Sequence, residues 1–196
     1  MGALLWFVFV GLFTPGPNVI LLTNSAARFG LGRTLPHLIG VVLGVGVTAA
    51  ATGFGIGTAL AARPGLELGL KIAAALWIVY LAWTVWRSTP IGRADLAEGQ
   101  RPFTVLEAVL FQWINPKIWA IAVAAAAGFT ADLAPVQAAG LLAASFSGIN
   151  LFVCAFWSGA GSILGRLLKT PHAWRWFSRI MAVGLAVSAV MVFRAP

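Results

Sequence analysis

Charged residues are scarce in this sequence. Only 9% of its 196 residues are Asp, Glu, Lys or Arg, and 60% are hydrophobic, whereas a soluble domain carries about 25% charged residues. So few charges cannot cover the surface of a soluble domain. The composition therefore indicates an integral membrane protein, in agreement with a mean hydropathy of +0.93.

Cysteine, histidine and acidic residues are also few. Cys154 is alone in the chain, so it cannot form the disulfide that a membrane thiol oxidoreductase shuttles. His37 and His172 lie at the ends of apolar segments without an acidic pair, which argues against a metal permease. His-Glu-x-x-His and Gly-x-Ser-x-Gly are both absent, and these are the motifs of metalloproteases and hydrolases. We therefore expect no enzyme, no metal site and no cofactor.

Long apolar segments account for most of the chain. A membrane-spanning helix needs roughly 20 mostly apolar residues. Six such spans are predicted, at about 3–27, 36–62, 66–86, 104–129, 136–163 and 177–195. The first has no positively charged region before it, so it is expected to persist as a helix and not to be a cleaved signal peptide. The sequence thus predicts an all-α membrane protein with one domain, 1–196.

The net charge of +8 is distributed unevenly between the predicted loops. The loops after spans one, three and five carry nine basic residues: Arg28, Arg33, Arg87, Arg93, Arg101, Arg166, Lys169, Arg175 and Arg179. The opposite side carries only Arg63 and Arg194. Because basic loops stay in the cytoplasm, both termini are predicted to lie outside. The basic charge therefore reflects topology and not a nucleic-acid partner.

Two proline motifs interrupt apolar spans. Span one contains "FTPGPN", with Thr14, Pro15, Gly16, Pro17 and Asn18. Span four contains "WINPK", which ends in Asn115, Pro116 and Lys117. A proline in a helix interior costs roughly 3 kcal/mol, since it removes an amide donor and clashes with the preceding turn. Both spans are therefore predicted to be broken helices.

The two breaks occupy corresponding places in two three-helix halves, at about 1–86 and 104–196. Span two also opens with Pro36 and Gly40, as span five does with Pro135 and Gly140. Since each half has three spans, a duplicated half would insert with inverted orientation. Proline-interrupted segments at matching positions of two inverted repeats indicate the binding site of a transporter.

The chemistry of a broken membrane helix indicates the kind of ligand. Freed backbone groups are tolerated only where they are buried in protein or line a wet cavity. The amino end of a half-helix attracts an anion and freed carbonyls attract a cation. Asn18 and Asn115 add amides that donate and accept hydrogen bonds. Such a site suits a zwitterion.

These residues resemble those of the lysine exporter (LysE/RhtB) family of bacterial amino-acid exporters. The resemblance runs along nearly the whole chain, and its two proline motifs are specific in this order and separation. It is carried by Pro15-Gly16-Pro17-Asn18, Gly30-Leu31-Gly32-Arg33, Gly40, Gly44, Leu70-Lys71, Tyr80-Leu81 and Asn115-Pro116-Lys117.

The resemblance implies an inner-membrane, multi-pass carrier that exports amino acids or close derivatives and is driven by the proton motive force. Its partners would be the amino acid, protons and membrane lipid. No acidic residue lies clearly in the predicted pocket, which favours neutral or small polar amino acids. The expected substrate-binding residues are Thr14, Pro15, Gly16, Pro17, Asn18, Asn115, Pro116, Lys117 and Asn150.

Lys117 and Glu107 are the candidates for proton coupling. Lys117 lies about 12 residues, or roughly 18 Å, from both ends of its span, and a lysine there costs on the order of 3 kcal/mol. Alternatively, 103–113 lies along the interface and leaves Lys117 at the surface, but too few apolar residues then remain to span. Glu107 is either a proton carrier with a raised pKa or an interfacial residue near Arg101.

Several predictions retain a structural alternative. Asn150, on span five, either lines the pocket or bonds within its own helix. Glycine pairs with small-xxx-small spacing allow helices to approach closely, either inside one subunit or at the seam of a homodimer. These pairs are Gly40/Gly44, Gly53/Gly57, Gly65/Gly69 and Gly161/Gly165.

A passive channel or facilitator for small polar solutes is the alternative function, because half-helices also build selectivity filters. Uphill, ionophore-sensitive flux would distinguish a carrier from a pore.

Overall fold

A computed structural model describes residues 1–88, 101–168 and 170–194. Arg93 and Lys169, which were counted among the cytoplasmic charges, lie outside the described residues, as does residue 195 at the end of the predicted sixth span. The described residues are helical and contain no strand. Their helices are α1 Gly2–Phe13, α2 Pro17–Phe29, α3 Leu31–Gly53, α4 Ile56–Ala61, α5 Pro64–Trp86, α6 Val105–Trp113, α7 Pro116–Phe129, α8 Pro135–Leu167 and α9 Pro171–Met191, followed by a 3-10 turn at Val192–Arg194.

The helices reproduce the predicted breaks. α1 and α2 meet at 58°, and α6 and α7 meet at 63°, so the broken helices predicted in the first and fourth apolar segments are confirmed. Three further helices are each long and apolar enough to cross a membrane: α3, the 68–86 part of α5, and α8. With each bent pair taken as one span, up to five crossings result among the described residues.

The predicted sixth span belongs to α9, which is not among these five candidates. Arg175 and Arg179 lie in the first half of α9, where they lower its hydropathy. Six spans and an inverted repeat therefore stay predictions.

The predicted second span continued to residue 62, but α3 ends at Gly53. Gly55 has a φ of 82°, a left-handed conformation that glycine adopts without steric cost. The chain turns there before the short helix α4 begins. That boundary was wrong because two glycines close together, Gly53 and Gly55, end the helix within an apolar run.

The prolines explain both breaks locally. The proline ring disfavours the helical conformation of the residue before it, and Thr14, before Pro15, has φ −57° and ψ 131°. Gly16, before Pro17, is extended, and Asn115, before Pro116, has φ −88° and ψ 99°. Pro17 and Pro116 then open the next half-helix, the position where a proline lacks no hydrogen bond.

Each broken span packs on the long helix of the other half. α1 and α2 contact α8, whereas α6 and α7 contact α3, and α3 and α8 pack against each other at the centre. α5 and α9 form a second packed pair, with an apolar cluster that includes Ile78 and Leu185. The reciprocal packing brings the two breaks to the same region of the molecule.

Glycines make this close packing sterically feasible. A Cβ atom at Gly161 would lie 2.3 Å from the carbonyl oxygen of Thr23 in α2, and one at Gly40 would lie 2.4 Å from the carbonyl oxygen of Val105 in α6. Three of the four predicted glycine pairs therefore pack inside the chain. Gly65 and Gly69 meet nothing within 4 Å in the described structure, and a homodimer stays a prediction.

Candidate functional site

The two breaks meet through Lys117. The Nζ atom of Lys117, in the first turn of α7, donates a hydrogen bond to the carbonyl oxygen of Thr14, where α1 ends. Its aliphatic stem lies over Gly16, since a Cβ atom there would be 2.8 Å from Lys117 Cδ. The absence of a side chain at Gly16 thus lets the lysine bridge the two halves of the molecule.

A side-chain amide network forms a second connection between the breaks. Asn18 Nδ2 donates to Gln112 Oε1 at 2.8 Å, and Gln112 Nε2 donates back to Asn18 Oδ1 at 3.2 Å. Gln112 is completely buried on α6, and its Nε2 also bonds the carbonyl oxygen of Ala108 at 2.9 Å. Asn115 Nδ2 reaches Gln112 Oε1 at 3.4 Å. A hydrogen-bonded network of this kind favours one arrangement of its members.

A small cavity lies beside these contacts, between α2, α7 and α8. Its volume of about 10 Å³ is about the room that one water molecule needs. It is far too small for an amino acid, so the lining helices would have to separate to admit one. Its walls are Leu12, Gly16, Asn18, Val19, Leu22, Asn115, Lys117, Ile118, Asn150, Val153, Cys154 and Trp157.

The residues that line the cavity carry little charge. Among the residues that line it, Lys117 is the only one that carries a charge at neutral pH, and none is a carboxylate. Across the described ranges, no three His, Cys, Asp or Glu side chains come together to hold a metal ion. A cavity with one ammonium and several amides is suited to an anionic or zwitterionic organic group.

Asn150 lines the cavity and is 3% exposed. Its Nδ2 atom has no hydrogen-bond partner among the described residues, and the same holds for Asn115 Oδ1 and Trp157 Nε1. A role for Asn150 in binding substrate stays a prediction.

Glu107 lies apart from the cavity, at the start of α6. Its carboxylate accepts two hydrogen bonds from Arg101, at 2.6 and 2.7 Å, and it forms a capping box with Thr104. The hydrogen bonds to Glu107 raise the pKa of the Arg101 guanidinium. This location agrees with the interfacial alternative, and the proposed proton-coupling role of Glu107 remains untested.

The structure gathers some of the predicted site residues and not others. Gly16, Asn18, Asn115, Lys117 and Asn150 line the cavity. Thr14 contributes its backbone carbonyl, while the prolines shape the breaks without lining the cavity; these are Pro15, Pro17 and Pro116.

Two cavity-region residues were not predicted. Gln112 precedes Asn115 by three positions, which is one helical turn, and a glutamine in an apolar span was a usable signal. Trp157 carried no such signal, because tryptophans in a membrane protein are usually interfacial anchors.

Comparisons with known proteins agree on one family. The sequence model of the LysE type translocator family matches residues 9–195. A cysteine/O-acetylserine efflux protein from Klebsiella pneumoniae subsp. pneumoniae is 29% identical over 196 residues, which cover 97% of each chain. No solved structure matches the chain at a significant level.

Proposed function

Because the chain belongs to the LysE type translocator family, it is a membrane-embedded, multi-pass transporter and not an enzyme, and we propose that it exports amino acids or close derivatives. The efflux protein that it resembles is named for cysteine and O-acetylserine, both of which have uncharged side chains. An uncharged pocket wall beside one lysine suits that class of substrate.

The observation that carries the proposal is the bridge between the two breaks. Lys117 of α7 is bonded to the Thr14 carbonyl at the end of α1, and the cavity adjoins this junction. The substrate carboxylate would be held by Lys117 and by the amino ends of α2 and α7, where the N–H groups that directly follow the opening proline have no acceptor within their helix. The ammonium group would be held by Asn115 Oδ1 and by the carbonyl that Lys117 now occupies. Asn18 would orient the site through Gln112.

Transport requires this cavity to widen. Since its volume is about 10 Å³, α2, α7 and α8 must separate before an amino acid can enter. Two inverted halves rocking against each other would open the site first to one side of the membrane and then to the other. The reciprocal packing of each broken span on the opposite long helix supports such a repeat.

The location, orientation and driving force of the transporter are proposed from the charges of its loops and from its family. The protein would lie in the bacterial inner membrane with six spans and with both termini outside. The proton motive force would drive export, and Lys117, or Glu107 less directly, would respond to the coupled proton. A cavity of about 10 Å³, too small to pass an amino acid, favours a carrier over an open pore.

The decisive experiment is flux of a labelled amino-acid panel through purified protein in liposomes, with and without an imposed pH gradient. We expect uphill accumulation of uncharged amino acids that depends on the gradient and is abolished by a protonophore. Flux that follows only the solute's own gradient would instead establish a facilitator, and the breaks would then be filter elements.

The matched variant is Lys117→Met, which keeps the length of the side chain and removes its charge. We expect its flux to fall to that of protein-free liposomes, while yield and monodispersity stay unchanged. Lys71→Met, at a lysine of α5 that does not line the cavity, is the control and should transport normally. Full activity in Lys117→Met would refute the role of the lysine.

A further inference from the structure

Three buried polar atoms around the cavity lack a hydrogen-bond partner among the described residues: Asn115 Oδ1, Asn150 Nδ2 and Trp157 Nε1. Unpaired buried polar atoms are unusual, since each loses its hydration without gaining a partner. Asn115 and Asn150 are both over nine-tenths buried. Their convergence on one cavity indicates a ligand that pairs with them.

Two of these atoms belong to one face of α8. Asn150, Cys154 and Trp157 are spaced four and three residues apart and therefore lie along one side of the helix. The backbone positions of Asn150 and Trp157 are roughly 10 Å apart along the helix axis, from a rise of 1.5 Å per residue. Both side chains nevertheless line the same small cavity, so the two donors serve one ligand.

The indole of Trp157 is held in place by its surroundings. Its ring packs against those of Phe13 and Phe156, both at 5.5 Å between centroids. The backbone carbonyl of Trp157 accepts a hydrogen bond from Thr23 Oγ1 at 3.4 Å, and Gly161 brings the next turn of α8 against α2. The direction of the indole N–H is therefore set by packing and does not need a ligand to define it.

The α8 side of the cavity offers different chemical groups from those at the two helix breaks. An indole N–H can only donate, and the unpaired atom of Asn150 is also a donor. Under the proposed function, Lys117 and the amino ends of the half-helices bind the carboxylate of the substrate. The two α8 donors therefore remain for a hydrogen-bond acceptor elsewhere on the substrate.

We propose that Trp157, together with Asn150, determines substrate specificity by donating hydrogen bonds to an acceptor on the substrate's side chain, such as the carbonyl of an acyl ester or a carboxamide. This inference rests on the proposed function. A site built to hydrogen-bond a substrate group rejects an analogue that lacks it, because the buried donors are then left unpaired. The preferred substrates are amino acids with uncharged, acceptor-bearing side chains.

The test compares O-acetylserine with norleucine, whose side chain has the same chain length and no acceptor. The wild-type protein in liposomes should transport O-acetylserine with a kcat/KM at least tenfold higher. Trp157→Phe keeps the aromatic ring and removes the N–H, so it should lower kcat/KM tenfold for O-acetylserine and less than threefold for norleucine. Asn150→Leu should likewise lower kcat/KM more for O-acetylserine than for norleucine.

Trp6→Phe is the matched control, because Trp6 is 67% exposed on α1 and does not line the cavity. This variant should leave kcat/KM unchanged for both O-acetylserine and norleucine. An equal loss for both substrates in Trp157→Phe, or no loss, would overturn the proposal, as would a wild-type protein without preference. A wild-type protein that transports neither these nor any other amino acid would refute the proposed function itself.

Discussion

At the level of single residues, the buried amide of Gln112 connects the two broken helices. It exchanges two hydrogen bonds with Asn18 and is reached by Asn115. Lys117 makes the other connection, to the Thr14 carbonyl. Replacing one member of such a network leaves its partner buried and unpaired, which costs more than the hydrogen bond itself contributes.

A double-mutant cycle tests whether Asn18 and Gln112 act as a unit. We expect Asn18→Ala and Gln112→Ala each to raise the KM of the transported amino acid by about 3- to 10-fold, or about 1 kcal/mol. The double variant should be no worse than the more affected single one, because the shared interaction is lost only once. KM is measured from initial flux rates in liposomes.

Gln137→Ala supplies the control, because Gln137 lies in the first turn of α8 and is exposed. Additive effects of the two substitutions would mean that Asn18 and Gln112 act separately. An unchanged KM in Asn18→Ala would remove that residue from the site.

At the level of elements, α8 serves both packing and the cavity. One side presents Asn150, Cys154 and Trp157 to the cavity, and Gly161 and Gly165 bring its carboxyl-terminal part against the backbone of α2. Because Gly161 is one turn beyond Trp157, the packing of the two helices also positions the cavity wall. The position of the indole thus depends on a glycine that does not itself line the cavity.

Substitution of glycines within α8 separates packing from helix propensity. In Gly161→Ala the new Cβ atom would lie 2.3 Å from the Thr23 carbonyl oxygen, so α2 and α8 must move apart at a cost of about 1–3 kcal/mol. We expect a lower melting temperature in detergent and reduced transport.

Gly140→Ala, in the same helix, meets nothing within 4 Å. It should be neutral or slightly stabilising, since alanine is the better helix former by about 1 kcal/mol. Equal melting temperatures for the two variants would contradict the close packing of α8 on α2.

At the level of the whole molecule, the arrangement of spans determines on which side each loop lies. Cys154 is buried and is the only cysteine of the sequence, so new cysteines can be introduced against a low background. Asp132, between α7 and α8, and Arg166, at the end of α8, are both exposed. The proposed orientation places them on opposite sides of the membrane.

Cysteine accessibility in intact cells tests that orientation. A membrane-impermeant thiol reagent should label Asp132→Cys directly and Arg166→Cys only after permeabilisation. The unsubstituted chain should remain unlabelled, since its thiol is buried. The reverse pattern would invert the topology and require the termini to be inside.

The sequence by itself determined the membrane class, the broken helices and the transporter family. The composition of the chain determines which solvent it can tolerate, and a proline changes the conformation of its immediate neighbours. Neither effect depends on the tertiary structure, so both can be predicted from the sequence. The choice of Lys117, Asn18 and Asn115 as site residues rests on the same local patterns and stays a prediction.

Only the tertiary structure decided which residues meet. The pairing of Asn18 with Gln112 joins positions 94 residues apart, and no local rule relates them. Trp157 could not be distinguished from the other eight tryptophans, because no local feature of the sequence sets it apart. The N–H of Trp157 is buried without a partner among the described residues because of the helices that pack around it. Such burial exists only in the folded molecule.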